Sequence, residues 1–134
     1  MRYPMIFFLV LLFTWGCAKG YKEGQPLTGA ELALAQEATK LAGKVNDLND
    51  EVPAAISDHW KGFTENVKLF DNSCQRHSCN SLEARNDFNH LRYYAVQLDA
   101  VITQQAHPDL HPKWEEIRIE YVDSIGKELG YRIK

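Results

Sequence analysis

The chain has 134 residues, 45% of them hydrophobic, and its 15 basic and 18 acidic side chains give a formal net charge of −3 at pH 7. This size and composition predict one folded domain with a modest core. No block of like charges occurs in the sequence. Neither nucleic acid nor an anionic lipid surface is therefore indicated as a partner.

The N-terminal segment has the pattern of an export signal. Arg2 supplies a positive charge, residues 6–13 form an unbroken apolar run, and the small residue Gly16 precedes Cys17. The apolar run is too short to span a bilayer. The sequence Thr-Trp-Gly-Cys at 14–17 resembles the lipobox of bacterial lipoproteins, although that family usually has an aliphatic residue at the position of the threonine. The resemblance implies cleavage before Cys17 and attachment of lipid, such as palmitate, to this cysteine.

Lipidation at Cys17 divides the chain into three parts. Residues 1–16 are the signal peptide, 17–27 are the lipidated cysteine with a flexible tether, and 28–134 are the folded domain. Ala18 follows the lipid site, which resembles outer-membrane sorting in enterobacteria and implies an outer-membrane protein that faces the periplasm or the exterior. Two alternatives stay open: a secretory signal cut near Ala18, and an apolar anchor that is retained.

The cysteine count agrees with export. If Cys17 carries lipid, the sequence has one remaining pair, Cys74 and Cys79. Disulfides persist in the oxidising compartments outside the cytosol, so these two residues are predicted to be bonded. A loop this small is worth roughly 2 kcal/mol on the chain-entropy estimate.

Apolar residues repeat at intervals of three and four on both sides of the segment 74–79. This pattern predicts two amphipathic helices that double back on each other around the disulfide. The stripe before the hairpin consists of Ile56, Trp60, Phe63, Val67, Phe70 and Cys74. The stripe after it consists of Ala84, Phe88, Leu91, Ala95, Leu98 and Ile102. Asn80 or Ser81 is predicted to cap the second of these helices.

Two further helices complete the prediction. The first begins with a capping box formed by Thr28 and Glu31, and the last begins at Pro112 and ends at Gly130. Their apolar stripes are Leu34, Ala38, Leu41, Val45 and Leu48, and Trp114, Ile117, Tyr121, Ile125 and Leu129. The four helices predict an all-α, up-down-up-down antiparallel four-helix bundle. A three-helix domain with a loose fourth segment is the structural alternative.

Several residues could bind a metal or haem. Cys74, His77 and Cys79 are three ligands for a soft metal within six residues, but their spacing matches no common zinc finger. His59 and His90 lie on neighbouring predicted helices and suggest bis-histidine ligation of haem. The chain resembles the cytochrome c-prime and soluble b-type cytochrome bundles in outline only, because Cys-x-x-Cys-His is absent and both methionines lie in the signal. We therefore expect no cofactor, with haem or a transition metal as the alternative.

The functional prediction rests on few positive signals. The sequence lacks a nucleophile elbow, a phosphate-binding glycine loop and a zinc-protease helix, so no enzyme is predicted. Arg92, Tyr93 and Tyr94 are consecutive, which places at least one tyrosine near the surface, and both residue types are favoured in interfaces. The sequence predicts a non-enzymatic envelope lipoprotein whose bundle binds or positions another envelope protein. The alternatives are a periplasmic haem- or metal-binding redox bundle and a carrier that holds a small ligand in the bundle.

Overall fold

A computed structural model describes residues 26–131, and this part of the chain is a helical bundle without strands. Helix α1 spans Gly29–Leu48, α2 spans Ser57–His77 and α3 spans Leu82–Val101. Two 3-10 turns, at Asn49–Glu51 and Ala54–Ile56, connect α1 to α2. The predicted signal peptide, Cys17 and most of the predicted tether lie outside the described residues.

The fourth helical element is a rod of three consecutive segments. Helix α4 spans His111–Ile117, a π-helical segment spans Arg118–Asp123, and α5 spans Ser124–Glu128. The residues at both junctions keep right-handed helical backbone angles, so the three segments continue one another. We refer to residues 111–128 as the C-terminal rod.

The predicted apolar stripes of α2 and α3 are buried. All twelve side chains are at most 5% exposed, and they belong to one hydrophobic cluster with the buried residues of α1 and the C-terminal rod. Phe70 of α2 lies against Phe88 of α3, with ring centroids 5.0 Å apart. Helix α2 packs closely against both α1 and α3, while α1 also contacts the C-terminal rod.

The turn between α2 and α3 contains the predicted disulfide. The sulfur atoms of Cys74 and Cys79 are bonded, and both side chains are fully buried. Between them, Ser78 is also buried and has a φ of 78°, which is unusual for a residue with a side chain. Its backbone N–H donates to the carbonyl of Cys74 at 3.0 Å, and its hydroxyl accepts from the N–H of Asn80 at 3.2 Å. The buried polar atoms of Ser78 are therefore hydrogen-bonded within the turn.

The C-terminal rod is anchored in the core by Trp114, which is fully buried. Its ring centroid lies 6.2 Å from that of Trp60 and 5.2 Å from that of Phe63, both on α2, in edge-on arrangements. Such pairs add to the free energy gained from burial alone. The fourth element is thus a packed part of the domain and not the loose segment of the structural alternative.

The π-helical segment corrects the predicted stripe of the last helix. Tyr121 is only half-buried, and the neighbouring Val122 is 3% exposed. In a π-helix the backbone hydrogen bonds span five residues instead of four. The residue that follows Ile117 on the buried face is therefore five positions later, at Val122, and the regular spacing used in the prediction fails here.

Of the three helix caps that the sequence predicts, at Thr28, Asn80 or Ser81, and Gly130, the structure contains two. The Ser81 hydroxyl accepts from the N–H of Ala84 at 3.2 Å, so Ser81 caps α3. Gly130 has a φ of 87°, and the following Tyr131 N–H donates to the Gly126 carbonyl at 2.8 Å, which ends the rod as predicted. Thr28, however, makes no side-chain capping bond.

The predicted capping box at the start of α1 is therefore wrong, because the Thr28 side chain accepts no hydrogen bond from the first turn. Thr28 has the extended backbone typical of an N-cap residue. The first helical residue, Gly29, has a φ of 59°, outside the helical region. The first turn is thus not oriented as the usual capping geometry requires.

Candidate functional site

The surface of α3 that points away from the core carries no charge. Six residues recur there at intervals of three and four, and all six are exposed. They are Leu82, Asn86, Asn89, Tyr93, Val96 and Ala100. Because the buried residues of α3 occupy the opposite side of the helix, this stripe is the part of α3 farthest from the core. We call these six residues the α3 outer face.

The other helices carry charged residues on their outer surfaces. These exposed residues include Lys40 and Asp47 on α1, Asp58, Lys61 and Glu65 on α2, and Lys113, Glu116 and Glu120 on the C-terminal rod. A charged outer surface keeps a helix solvated and opposes contact with an apolar partner. The α3 outer face lacks this protection.

Three large apolar side chains make the α3 outer face hydrophobic. Leu82 is 81% exposed, Val96 is 68% exposed and Tyr93 is 61% exposed. Single exposed apolar residues are normal on protein surfaces, but a row of them on one helix makes this face a candidate interaction site. Leu69 on α2 and Ile119 on the C-terminal rod are each 52% exposed and stand among charged neighbours, so they are suitable controls.

The predicted trio of Arg92, Tyr93 and Tyr94 is divided between two roles. Arg92 places its guanidinium 4.7 Å from the ring centroid of Tyr131, a cation–π contact within the domain. Tyr94 is half-buried and lies against Gly62 of α2, where an added Cβ would come within 2.5 Å of its ring carbon Cζ. Only Tyr93 of the three points outward, with its ring edge-on to that of Tyr94 at 5.4 Å.

A charged cluster surrounds Arg118 at the π-helical segment. Its Glu115–Arg118 pair is the one that the helical spacing of the sequence favours, but the part formed by Asp99 and Asp123 was not predicted. The Arg118 guanidinium bonds Glu115 through Nη2 and Asp123 through Nη1, both at 3.0 Å. Its Nε lies 2.9 Å from Oδ1 of Asp99 on α3, but the N–H does not point at that oxygen, so this contact is electrostatic. The Trp114 indole N–H donates to the same Asp99 oxygen at 2.7 Å.

This cluster connects α3 to the C-terminal rod. Burial raises the pKa of the Asp99 carboxyl above its usual value, although the Trp114 hydrogen bond and the Arg118 charge both act to lower it. The cluster brings three carboxylates to one guanidinium, and it is held from two helical elements. Within residues 26–131, no group of three His, Cys, Asp or Glu side chains is placed to hold a metal ion. The arrangement indicates a structural role at this junction.

The remaining predicted ligands are histidines of α2 and α3. His59 is half-buried on α2, His90 is exposed on α3, and His77 is half-buried in the last turn of α2. Since Cys74 and Cys79 are bonded, their sulfur atoms are not thiolates that could bind a metal. No helix in the described part of the chain is long and apolar enough to cross a membrane.

Compared with known proteins, the chain matches no family model, no curated protein and no solved structure. The functional argument therefore depends on the chain's own geometry, and the α3 outer face is the candidate interaction surface among the described residues. Its signal was present in the sequence as six uncharged positions on one helical face. The prediction used only Tyr93 from this set.

Proposed function

We propose that this protein is a non-enzymatic lipoprotein of the bacterial cell envelope whose helical domain binds a protein partner through the α3 outer face. The observation that carries the proposal is the uncharged, largely apolar stripe on α3, which contrasts with the charged outer surfaces of the other helices. Interfaces are depleted in charged residues at their centres and enriched in aromatic ones. The stripe has this composition, with Tyr93 near its middle.

The proposed attachment is through lipid on Cys17, with residues 18–27 as the tether and the outer membrane as the site. The disulfide between Cys74 and Cys79 supports export, because such bonds persist in oxidising compartments. Lipidation also accounts for the one cysteine that the disulfide does not use. Cys17→Ser is expected to abolish fatty-acid labelling of the protein. Labelling that survives this substitution would refute the anchor.

We further propose an up-down-up-down order for the four helical elements. The turn between α2 and α3 is short, and the contacts Gly62–Tyr94, Phe70–Phe88 and Ser73–Asp87 follow opposite directions along the two helices, as in an antiparallel pair. Helix α1 contacts both α2 and the C-terminal rod, as neighbours do in such a bundle. This order places α3 at a corner, with its outer face directed outward.

Site-specific photo-crosslinking in the native envelope tests the interaction. A photoreactive phenylalanine analogue replaces Tyr93 or Val96, and the same analogue at Leu69 is the control. We expect adducts from the two α3 positions and none from the α2 position, because all three are exposed but only the first two lie on the α3 outer face. Absence of adducts from both α3 positions, or equal adducts from Leu69, would contradict the proposal.

The proposed role requires no cofactor, and this distinguishes it from the haem- or metal-binding alternative. Protein purified from its own envelope is expected to contain no stoichiometric metal and to show no Soret absorption band. Either signal would instead support the haem- or metal-binding alternative, with ligation by His59 and His90 or by another set of residues.

A further inference from the structure

We propose that the partner on the α3 outer face is a second copy of this chain, bound with its α3 antiparallel to the first. The inference rests on the proposed function, because it uses the same surface, and it adds the identity of the partner. A twofold-symmetric contact requires that one patch be complementary to itself. The size and the charge of the α3 residues both satisfy this condition in the antiparallel orientation.

The size argument follows from the spacing of the outer-face residues. The pairs Leu82 with Ala100, Asn86 with Val96, and Asn89 with Tyr93 share one midpoint, at position 91. When two α3 helices cross antiparallel at that point, each of these residues meets its pair on the other copy. Each large apolar residue then faces a smaller or polar one. In a parallel pair, Tyr93 would instead meet Tyr93 and Ala100 would meet Ala100.

The charge argument comes from the residues that flank the stripe. Arg85, Arg92 and Asp99 are spaced seven apart on the side of α3 that faces the C-terminal rod. An antiparallel pair reverses their order. In the register centred on position 91, Arg85 of each copy lies two residues, about 3 Å along the helix, from the level of Asp99 of the other, a gap that the long arginine side chain can span. In a parallel pair, these three residues would instead contact the other flank of the second α3, which carries Glu83, His90 and Gln97. The contacting positions would then be Arg85 with His90 and Arg92 with Gln97, and neither is an opposite-charge pair.

Both flanking groups are placed to make this contact. The Asp99 side chain is 40% exposed, and its contacts to Trp114 and Arg118 both use Oδ1, which leaves Oδ2 outside these bonds. Arg85 is half-buried and donates to the Asn80 side chain from Nη2 at 3.2 Å. Arg92, the residue nearest the twofold axis on this flank, is drawn toward its own Tyr131 ring. The repulsion between the two copies of Arg92 is thereby reduced.

The contact is small, so the dimer is expected to be weak in dilute solution. Six outer-face residues from each copy bury less area than the roughly 1,200 Å² typical of stable complexes. We expect a dissociation constant on the order of 10 μM. Anchoring both copies to one membrane would raise their effective concentration and favour the pair without new contacts.

Sedimentation equilibrium of the full-length protein, purified from its membrane in density-matched detergent, tests the inference. The wild type is expected to show a monomer–dimer equilibrium. Val96→Glu should raise the dissociation constant at least about tenfold, because it places a carboxylate in an uncharged contact. The matched control Leu69→Glu, on the exposed side of α2, should leave it unchanged. Circular dichroism should show the same helicity for both variants, since both positions are exposed.

A double variant tests the orientation. In the antiparallel pair, position 86 faces position 96 of the other copy, so Asn86→Lys combined with Val96→Glu creates two opposite-charge pairs. This double variant should restore the dissociation constant to within about threefold of the wild type. In a parallel pair, the same substitutions place like charges together, and the dimer would stay weak. Failure of the rescue would therefore overturn the antiparallel register.

Two outcomes would overturn the second copy as the partner. One is a wild type that remains monomeric at about 100 μM, well above the expected dissociation constant. The other is equal weakening by Leu69→Glu and Val96→Glu. The proposed function can survive either outcome: photo-crosslinks from Tyr93 to a different protein would retain the interaction surface and reject only self-association. The proposed function itself fails if neither Tyr93 nor Val96 gives adducts in the envelope.

Discussion

Replacing Trp114 by Phe tests how the C-terminal rod is held, and Trp60→Phe is its matched control. Both tryptophans are buried in the same aromatic cluster, and each indole N–H donates one hydrogen bond. The acceptor is the Asp99 carboxylate for Trp114, at 2.7 Å, and the Asn49 side-chain oxygen for Trp60, at 2.8 Å. Both variants lose the same ring volume, so the difference between their free energies of unfolding reports the effect of the charge on the acceptor.

The magnitude follows from the two acceptors. A hydrogen bond to a charged group contributes about 1.5–3 kcal/mol and a neutral one about 0.5–1.5 kcal/mol. Asp99 is 40% exposed and can recover some hydration, so the low end of the charged range applies. Trp114→Phe should therefore lower the free energy of unfolding at pH 7 by about 0.5 kcal/mol more than Trp60→Phe. This corresponds to a further fall in Tm of roughly 2–4 °C.

The pH dependence gives the decisive readout. Burial raises the folded-state pKa of Asp99 above its ordinary value of 3.8. The protonated carboxyl therefore stabilises the folded state below pH 3.8, and this contribution to the free energy of unfolding is lost as the pH rises through the folded-state pKa. Trp114→Phe removes a hydrogen bond that lowers this pKa, which increases the penalty only where Asp99 is ionised. Urea unfolding at pH 7 and about pH 3 should show the difference between the variants shrinking in acid. A difference that is independent of pH, or of opposite sign, would refute the reasoning.

Other predictions concern packing and the disulfide. Gly62→Ala should destabilise the domain by about 1–3 kcal/mol, because the new methyl overlaps the Tyr94 ring. Gly43→Ala, on the exposed side of α1 with nothing within 4 Å of the added Cβ, should stabilise it by about 0.5–1 kcal/mol; a loss of stability for both variants in thermal unfolding would contradict this contrast. Replacing Cys74 and Cys79 together by Ala should cost about 2 kcal/mol while circular dichroism retains the helicity. A collapse of helicity would show that the disulfide holds more than the hairpin.

The sequence was sufficient for the elements whose helical spacing is regular. The stripes of α2 and α3 were predicted residue by residue, because a regular α-helix repeats its buried face every three or four positions. The disulfide and the Ser81 cap were also local enough to predict. The last helix was predicted incorrectly at Tyr121, because a local apolar pattern does not indicate where α-helical hydrogen bonds change to the i→i+5 bonds of a π-helix.

The functional surface could be predicted only in part, for a related reason. Three consecutive residues on a helix point in directions about 100° apart, so Arg92, Tyr93 and Tyr94 could not share one surface. The buried stripe of α3 places Tyr93 opposite the core, but the contacts that hold Arg92 and Tyr94 within the domain involve Tyr131 and Gly62, which are distant in the sequence. The Arg118 cluster has the same origin, since Asp99 comes from another helix.

Hydroxyl-radical footprinting of the protein in its native envelope tests most directly whether the α3 outer face is occupied. Oxidation is compared between the envelope and the purified, diluted protein, and mass spectrometry reads each residue. We predict that Tyr93 and Val96 are protected in the envelope, while Leu69 and Ile119 react equally in both samples. Equal oxidation of Tyr93 and Val96 in the two samples would contradict an interaction at this surface.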